Sequence, residues 1–231
     1  MNTTAGTGSA AARLLAGCPI VPVVVLDDPA DAVPLGRALL AGGITGMEIT
    51  LRTPAGLGGI GRVARELPEL TVGAGSVLTP EHVRQVVDAG ANFAVSPGLQ
   101  EPVVKACRDQ AVPALPGVAT ATDLMTAVHL GLTVVKFFPA DLLGGPAAIK
   151  ALAAPFPGLS FLPSGGVNPN NLTDYLALPC VPAVSGSWMV HPPLIRAADW
   201  PEITRRSQHA VHAAGAAISG LITWEPCTHA R

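Results

Sequence analysis

The residue types that can do chemistry gather around Lys136. It sits inside the apolar run Thr133-Val134-Val135-Lys136-Phe137-Phe138-Pro139. A buried strand rarely takes a cation, because desolvating an ammonium costs far more than burying a methylene returns. Burial favours the uncharged amine. An uncharged amine is a nucleophile, and its common use on a keto substrate is a Schiff base. The other two lysines, Lys105 and Lys150, lie in helix-like stretches.

A second polar cluster interrupts another apolar run, at Glu48-Ile49-Thr50-Leu51-Arg52. Side chains alternate along a strand, so Glu48, Thr50 and Arg52 share one face while Met47, Ile49 and Leu51 share the other. The apolar set must pack against helices, which points Glu48 and Arg52 inward. By the same alternation Val134, Lys136 and Phe138 share a face. One reading is a structural Lys–Glu pair plugging the interior. Buried pairs bring little net stability, which favours a working role. In that role Lys136 attacks a ketone and Glu48 shuttles protons. Arg52 offers a two-pronged donor to a substrate carboxylate, and Ser76 can bond the same group.

Such residues need a frame that brings distant strands together. Short β-branched runs recur at 20–26, 46–52, 70–75, 92–96, 112–116, 133–138, 159–164 and 181–186. Helical patterns lie between them, near 29–41, 54–66, 80–89, 100–110, 121–130, 145–153 and 169–177, with a last one near 199–218. Thr79-Pro80 reads as a helix start, and Thr120 with Asp123 as a near capping box. Eight strands alternating with helices predict an α/β fold, a (β/α)8 TIM barrel in a single domain with extra N-terminal and C-terminal helices. An open doubly wound sheet alternates in the same way. The strand count and the polar inner faces favour the barrel. The domain is expected over 11–220, with a disordered tail at 1–10 and a second tail at 221–231.

Barrel enzymes work at the C-terminal ends of their strands. The strand ends supply Glu48 and Arg52, then Ser76, Ser96-Pro97-Gly98 and Pro116-Gly117, then Lys136, Ser164-Gly165-Gly166 and Gly186-Ser187-Trp188. Gly73 and Gly75 end a strand, where glycine lets backbone approach a ligand. The glycines after strands seven and eight are turn formers. They also sit where barrels frequently bind phosphate. A carboxylate site and a phosphate site flanking a lysine define a small phosphorylated 2-keto acid. The segment Gly56-Leu57-Gly58-Gly59-Ile60-Gly61 fits GxGxxG literally. The next strand ends without the acidic residue that a dinucleotide requires, so it reads as a glycine-tolerant helix.

Composition bounds the rest. Apolar residues make up 49% of the 231, charged ones 13%, and the formal net charge is −2 with no basic run. That argues against disorder and against a nucleic-acid surface. Four dispersed cysteines, Cys18, Cys107, Cys180 and Cys227, form no CxxC pair and suit a reducing compartment. The six histidines fall in helical stretches or the tail. No metal site and no cofactor are therefore expected. Leu15-Ala16-Gly17-Cys18 imitates a lipoprotein cleavage box but lacks the apolar segment before it, and no run is long enough to span a membrane. The protein is expected to be cytoplasmic.

These stretches resemble a known family. Pro22-Val23-Val24, Glu48-Ile49-Thr50-Leu51-Arg52-Thr53, Val72-Gly73-Ala74-Gly75-Ser76-Val77-Leu78, Ser96-Pro97-Gly98, Lys136-Phe137-Phe138-Pro139-Ala140, Pro163-Ser164-Gly165-Gly166-Val167 and Gly186-Ser187-Trp188 resemble the 2-keto-3-deoxy-6-phosphogluconate aldolases. Members of that family often also cleave 4-hydroxy-2-oxoglutarate. The resemblance runs over residues 10–190. It implies a class I, metal-free lyase on a (β/α)8 barrel, usually a homotrimer. It makes Lys136 the Schiff-base residue and Glu48 the acid/base, with Arg52 and Ser76 on the pyruvate carboxylate. Gly165, Gly166 and Ser187 would hold the phosphate, with Ser164 and Gly186 beside them. The implied reaction yields pyruvate and glyceraldehyde 3-phosphate, the closing step of the Entner–Doudoroff route. Ser76 and Ser164 stand where familiar members carry threonine. A phosphogalactonate-specific aldolase and a metal-dependent phosphosugar lyase or isomerase on the same barrel are the competing readings.

Overall fold

Short β-branched runs separated by Ala- and Leu-rich stretches become strands separated by helices. The computed structural model describes residues 6–222. In chain order the elements are α1 (Gly6–Ala16), β1 (Ile20–Val24), α2 (Ala32–Ala41), β2 (Gly46–Thr50), α3 (Ala55–Glu66), β3 (Thr71–Gly75), α4 (Pro80–Asp88), β4 (Ala94–Ser96) and α5 (Glu101–Asp109). They continue with β5 (Ala114–Val118), α6 (Ala121–His129), β6 (Val134–Phe137), α7 (Gly145–Ala153), β7 (Ser160–Pro163), α8 (Leu172–Leu176), β8 (Val184–Gly186), α9 (Pro192–Arg196) and α10 (Trp200–Ile222). The start signals work as read. Thr79 accepts from the His82 N–H, and Thr120 with Asp123 forms a full capping box.

The eight strands form one parallel sheet in the order β7-β6-β5-β4-β3-β2-β1-β8. A bridge between Ser164 and Ser185 brings its edges together, giving a TIM barrel with helices at both chain ends. Followed from pair to pair round the barrel, the register slips by eight residues: a line begun at 48 returns at 40. That is one residue per strand, so inward side chains from alternate strands lie at one level. Four levels follow, from the N-terminal end upward. They are Gly46, Phe93, Val134 and Ala183; then Val21, Gly73, Leu115 and Leu162; then Glu48, Val95, Lys136 and Ser185; then Val23, Gly75, Gly117 and Ser164.

The two lower levels are apolar and pack with Ala11, Leu15 and Cys18 as an inner core, distinct from the larger core between strands and helices. Thus α1 closes the N-terminal end. Leu15 is fully buried there, which contributes roughly 1.5–3 kcal/mol. Residues 6–10, expected to be a disordered tail, form the first turns of this helix. Residues 1–5 and 223–231, which include most of the second expected tail, lie outside the described residues. At the other end of the chain α10 packs on α2, where Thr204 Oγ1 donates to the Ala38 carbonyl at 3.0 Å.

The glycines of the GxGxxG segment lie within α3 and serve packing. A Cβ on Gly56 would meet the Thr50 carbonyl at 2.3 Å, and one on Gly59 would meet Leu26 at 2.5 Å. Strand β5 sits two residues later than the sequence suggests. Gly117, just past the strand expected at 112–116, lies within it, and its missing Cβ admits the Pro97 carbonyl, 2.1 Å from where that atom would be. Among the described residues no helix is long and apolar enough to cross a membrane.

Candidate active site

Lys136 and Glu48 reach each other across the barrel. Lys136 Nζ donates to Glu48 Oε1 at 3.4 Å, with the two residues 4% and 1% exposed. Val134 and Leu115 form part of the apolar floor below them. The Phe138 ring lies 5.4 Å from the amine. Glu48 Oε2 is buried and has no hydrogen-bond partner among the described residues. The glycines of β3 make this possible. A Cβ on Gly75 would stand 2.1 Å from Glu48 Oε1, and one on Gly73 would run into the Phe93 ring at 2.2 Å. Those glycines, read from sequence as room for a ligand, are room for the carboxylate and for the ring beneath it. Thr50, the other polar residue of this face, is tied to the frame through its bond to the Val24 carbonyl at 3.0 Å.

The remaining candidates stand at the rim. Arg52 lies beyond the end of β2 and is exposed rather than pointing into the interior; its Nε donates to Ser76 Oγ at 3.3 Å. Ser76 holds φ at 58°, a left-handed backbone that costs a non-glycine residue about 1 kcal/mol or more. Arg52, Ser164, Gly165, Gly186 and Ser187 line one cleft of about 320 Å³, a size suited to a small substrate. Gly166 stands next to it at φ 85°, with no space for a Cβ beside Asp141. The N–H groups of Gly165, Gly166 and Ser187 bond no acceptor among the described residues. All nine predicted residues therefore fall at one end of one barrel: Lys136 and Glu48 on one interior level, Ser164 on the level above, and the other six around the opening.

Two further features were not singled out from sequence. Phe138 lines the cleft and covers the amine; its place on the Lys136 face was the available signal. Val190, just before α9, and Pro192, its first residue, form part of the wall, and that helix carried no periodicity to announce it. Gly186 is needed because a Cβ there would meet the Trp188 ring at 2.1 Å. Burial pushes the Cys18 thiol up and the Cys107 thiol to about 11, so neither is poised as a nucleophile. Among the described residues no three His, Cys, Asp or Glu side chains cluster as metal ligands.

The family model described as "Aldolase: KDPG and KHG aldolase" matches residues 12–206. The chain belongs to the KDPG and KHG aldolase family. It is 43% identical over 206 residues to the KHG/KDPG aldolase of Escherichia coli K12, covering 89% of this chain and 97% of that protein. Among solved structures it is similar to the KDPG aldolase of Legionella pneumophila, with 40% identity and a TM-score of 0.83, covering 85% of this chain and 96% of the other. That crystal holds pyruvate as a covalent carbinolamine intermediate. The Zymomonas mobilis ZM4 aldolase, solved with 3-phosphoglycerate, gives 40% identity and a TM-score of 0.81 over 86% and 93% of the two chains. In this aldolase fold the lysine–glutamate pair lies inside the barrel, and Arg52 and the unengaged N–H groups stand at its mouth.

Proposed function

We propose that this aldolase cleaves 2-dehydro-3-deoxy-6-phosphogluconate to pyruvate and glyceraldehyde 3-phosphate through a Schiff base on Lys136. The observation that carries the proposal is a buried amine 3.4 Å from a buried carboxylate beneath an open cleft. The free amine of Lys136 attacks the C2 ketone and forms a carbinolamine. Loss of water gives the iminium ion. Glu48 takes the C4 hydroxyl proton, the C3–C4 bond breaks, and its electrons flow to the iminium as an enamine. The aldehyde leaves, the enamine is protonated at C3, and water releases pyruvate and the amine. The pyruvate carbinolamine in the Legionella relative supports this sequence of steps.

Charge assigns the two ends of the substrate. Arg52, held by Ser76, receives the C1 carboxylate as a two-pronged donor. The unengaged N–H groups of Gly165, Gly166 and Ser187 receive the phosphate, with Ser164 and Gly186 shaping the wall. The phosphorylated ligand of the Zymomonas relative supports that end. Cleavage of 4-hydroxy-2-oxoglutarate to pyruvate and glyoxylate is a second activity, supported by the double name of the E. coli relative. The resemblance further supports a homotrimer, and the three free thiols among the described residues suit the cytoplasm; light scattering and cell fractionation check these two points.

Pyruvate with borohydride should inactivate the protein and add one reduced pyruvate to Lys136 by mass spectrometry. An adduct on another residue, or none, overturns the reaction. Pyruvate release from the phosphogluconate, phosphogalactonate and oxoglutarate keto acids should be fastest with the first. A faster phosphogalactonate rate would reassign the substrate and leave the chemistry standing.

A further inference from the structure

Among the described residues three buried side-chain polar atoms lack a hydrogen-bond partner: Glu48 Oε2, Ser185 Oγ and Tyr175 OH. Tyr175 lies on α8, outside the barrel. The other two share one interior level with Lys136 and Val95. Ser185 is fully buried, and its neighbour Val184 packs outward against the helices, which turns the serine inward. In this ring of four, Ser185 on β8 stands between Glu48 on β2 and Lys136 on β6, and Val95 on β4 takes the opposite side. A buried oxygen left unpaired is costly. A carboxylate only accepts, whereas a hydroxyl can donate, so the two orphans are complementary.

We propose that Ser185 is a positioning residue for Glu48. Its hydroxyl donates to Oε2, directly or through one bridging water, and so aims Oε1 at Lys136 and at the protons it moves. The 3.4 Å separation of Oε1 from the amine is longer than the 2.7–2.9 Å of a tight charge-assisted bond. Fixing the second oxygen tightens that contact during turnover. The proposal rests on the Schiff-base reading above.

The test is a double-mutant cycle of Ser185→Ala and Glu48→Gln on the full chain. Ser185→Ala should melt within a few degrees of the parent and still form the Lys136 adduct. Its kcat should fall about 10- to 100-fold with little change in KM, the scale of one hydrogen bond to a charged group. Ser185→Cys keeps the shape with a weaker donor and should fall between. In the Glu48→Gln background the same Ser185→Ala change should cost less than about threefold, because its effect passes through the carboxylate. An equal loss in both backgrounds makes the serine merely structural and overturns the proposal, as does full activity of Ser185→Ala. Absence of the adduct in the unsubstituted protein overturns the Schiff-base reaction itself, and this role with it.

Discussion

Replacing Lys136 by methionine removes the amine that bonds Glu48 and leaves a carboxylate sealed inside the barrel. Glu48 is 1% exposed, and Lys136 Nζ is the partner of its Oε1 while Oε2 has none. Deleting one member of a buried pair costs about 3–5 kcal/mol, because the other charge stays behind without compensation. For a domain of this size each kcal/mol moves the melting midpoint by about 2–4 °C. Lys136→Met should therefore lower Tm by about 6–20 °C. Adding Glu48→Gln removes the stranded charge while keeping the shape, so the double variant should melt within about 4 °C of the parent. Calorimetry near neutral pH reads both values, and both variants should release no pyruvate. Glu48→Gln alone should retain the Lys136 adduct but turn over about 10²–10⁴-fold more slowly. Equal melting of the single and double variants would show that no uncompensated charge is created, and would refute the buried pair on which the mechanism stands.

Arg52→Lys keeps the charge but loses the planar fork, so KM for the keto acid should rise about tenfold with kcat less affected; steady-state kinetics read the split. Gly75→Ala places a methyl 2.1 Å from Glu48 Oε1, and kcat should fall at least tenfold as the carboxylate is displaced. Cys107 is 1% exposed, and burial raises its thiol from 9.0 to about 11. The folded chain thus holds that proton more tightly than the unfolded one. The associated stability is complete below pH 9 and is lost, by about 2–3 kcal/mol, as pH rises to about 11; denaturant unfolding of Cys107→Ala should show a shallower decline over that window. Pyruvate release should be unchanged by a chelator, and a loss reversed by adding a divalent ion would move the reaction to the metal-dependent class.

What was legible in the sequence followed from contrast. A parallel sheet covered by helices hides both faces of each strand, so eight apolar runs announced eight strands. Lys136 and Glu48 stood out because each breaks such a run. The turn after β7 was legible through its glycines, since Gly165 and Gly166 take positive φ. Other features depended on tertiary packing. The small polar residues before Arg13 gave no sign that α1 would close the barrel. Arg52 follows the alternation of β2, but the strand ends at Thr50, which leaves the guanidinium at the rim. Membership of an interior level depends on the slip of the closed sheet, a property of all eight registers together. Ser185 therefore drew no reading from the sequence.

The same levels explain how a close-packed barrel holds a charged pair at all. An eight-stranded interior is only wide enough to be filled by side chains, so a carboxylate and an amine need space taken from their neighbours. Gly73 yields its place to the Phe93 ring, which rises from the level below and helps seal the floor. Gly75, one level above Glu48, yields its place to the carboxylate itself. Gly117 lets the Pro97 carbonyl press in at the opening. The floor is closed by apolar groups, and the cleft that Arg52, Ser164 and Ser187 line opens at the other end, with Phe138 between it and the amine. On the proposed mechanism a keto acid entering there would meet Arg52 and the glycine N–H groups first and Lys136 last. Binding at the rim would then orient the carbonyl before it reaches the level of Lys136 and Glu48.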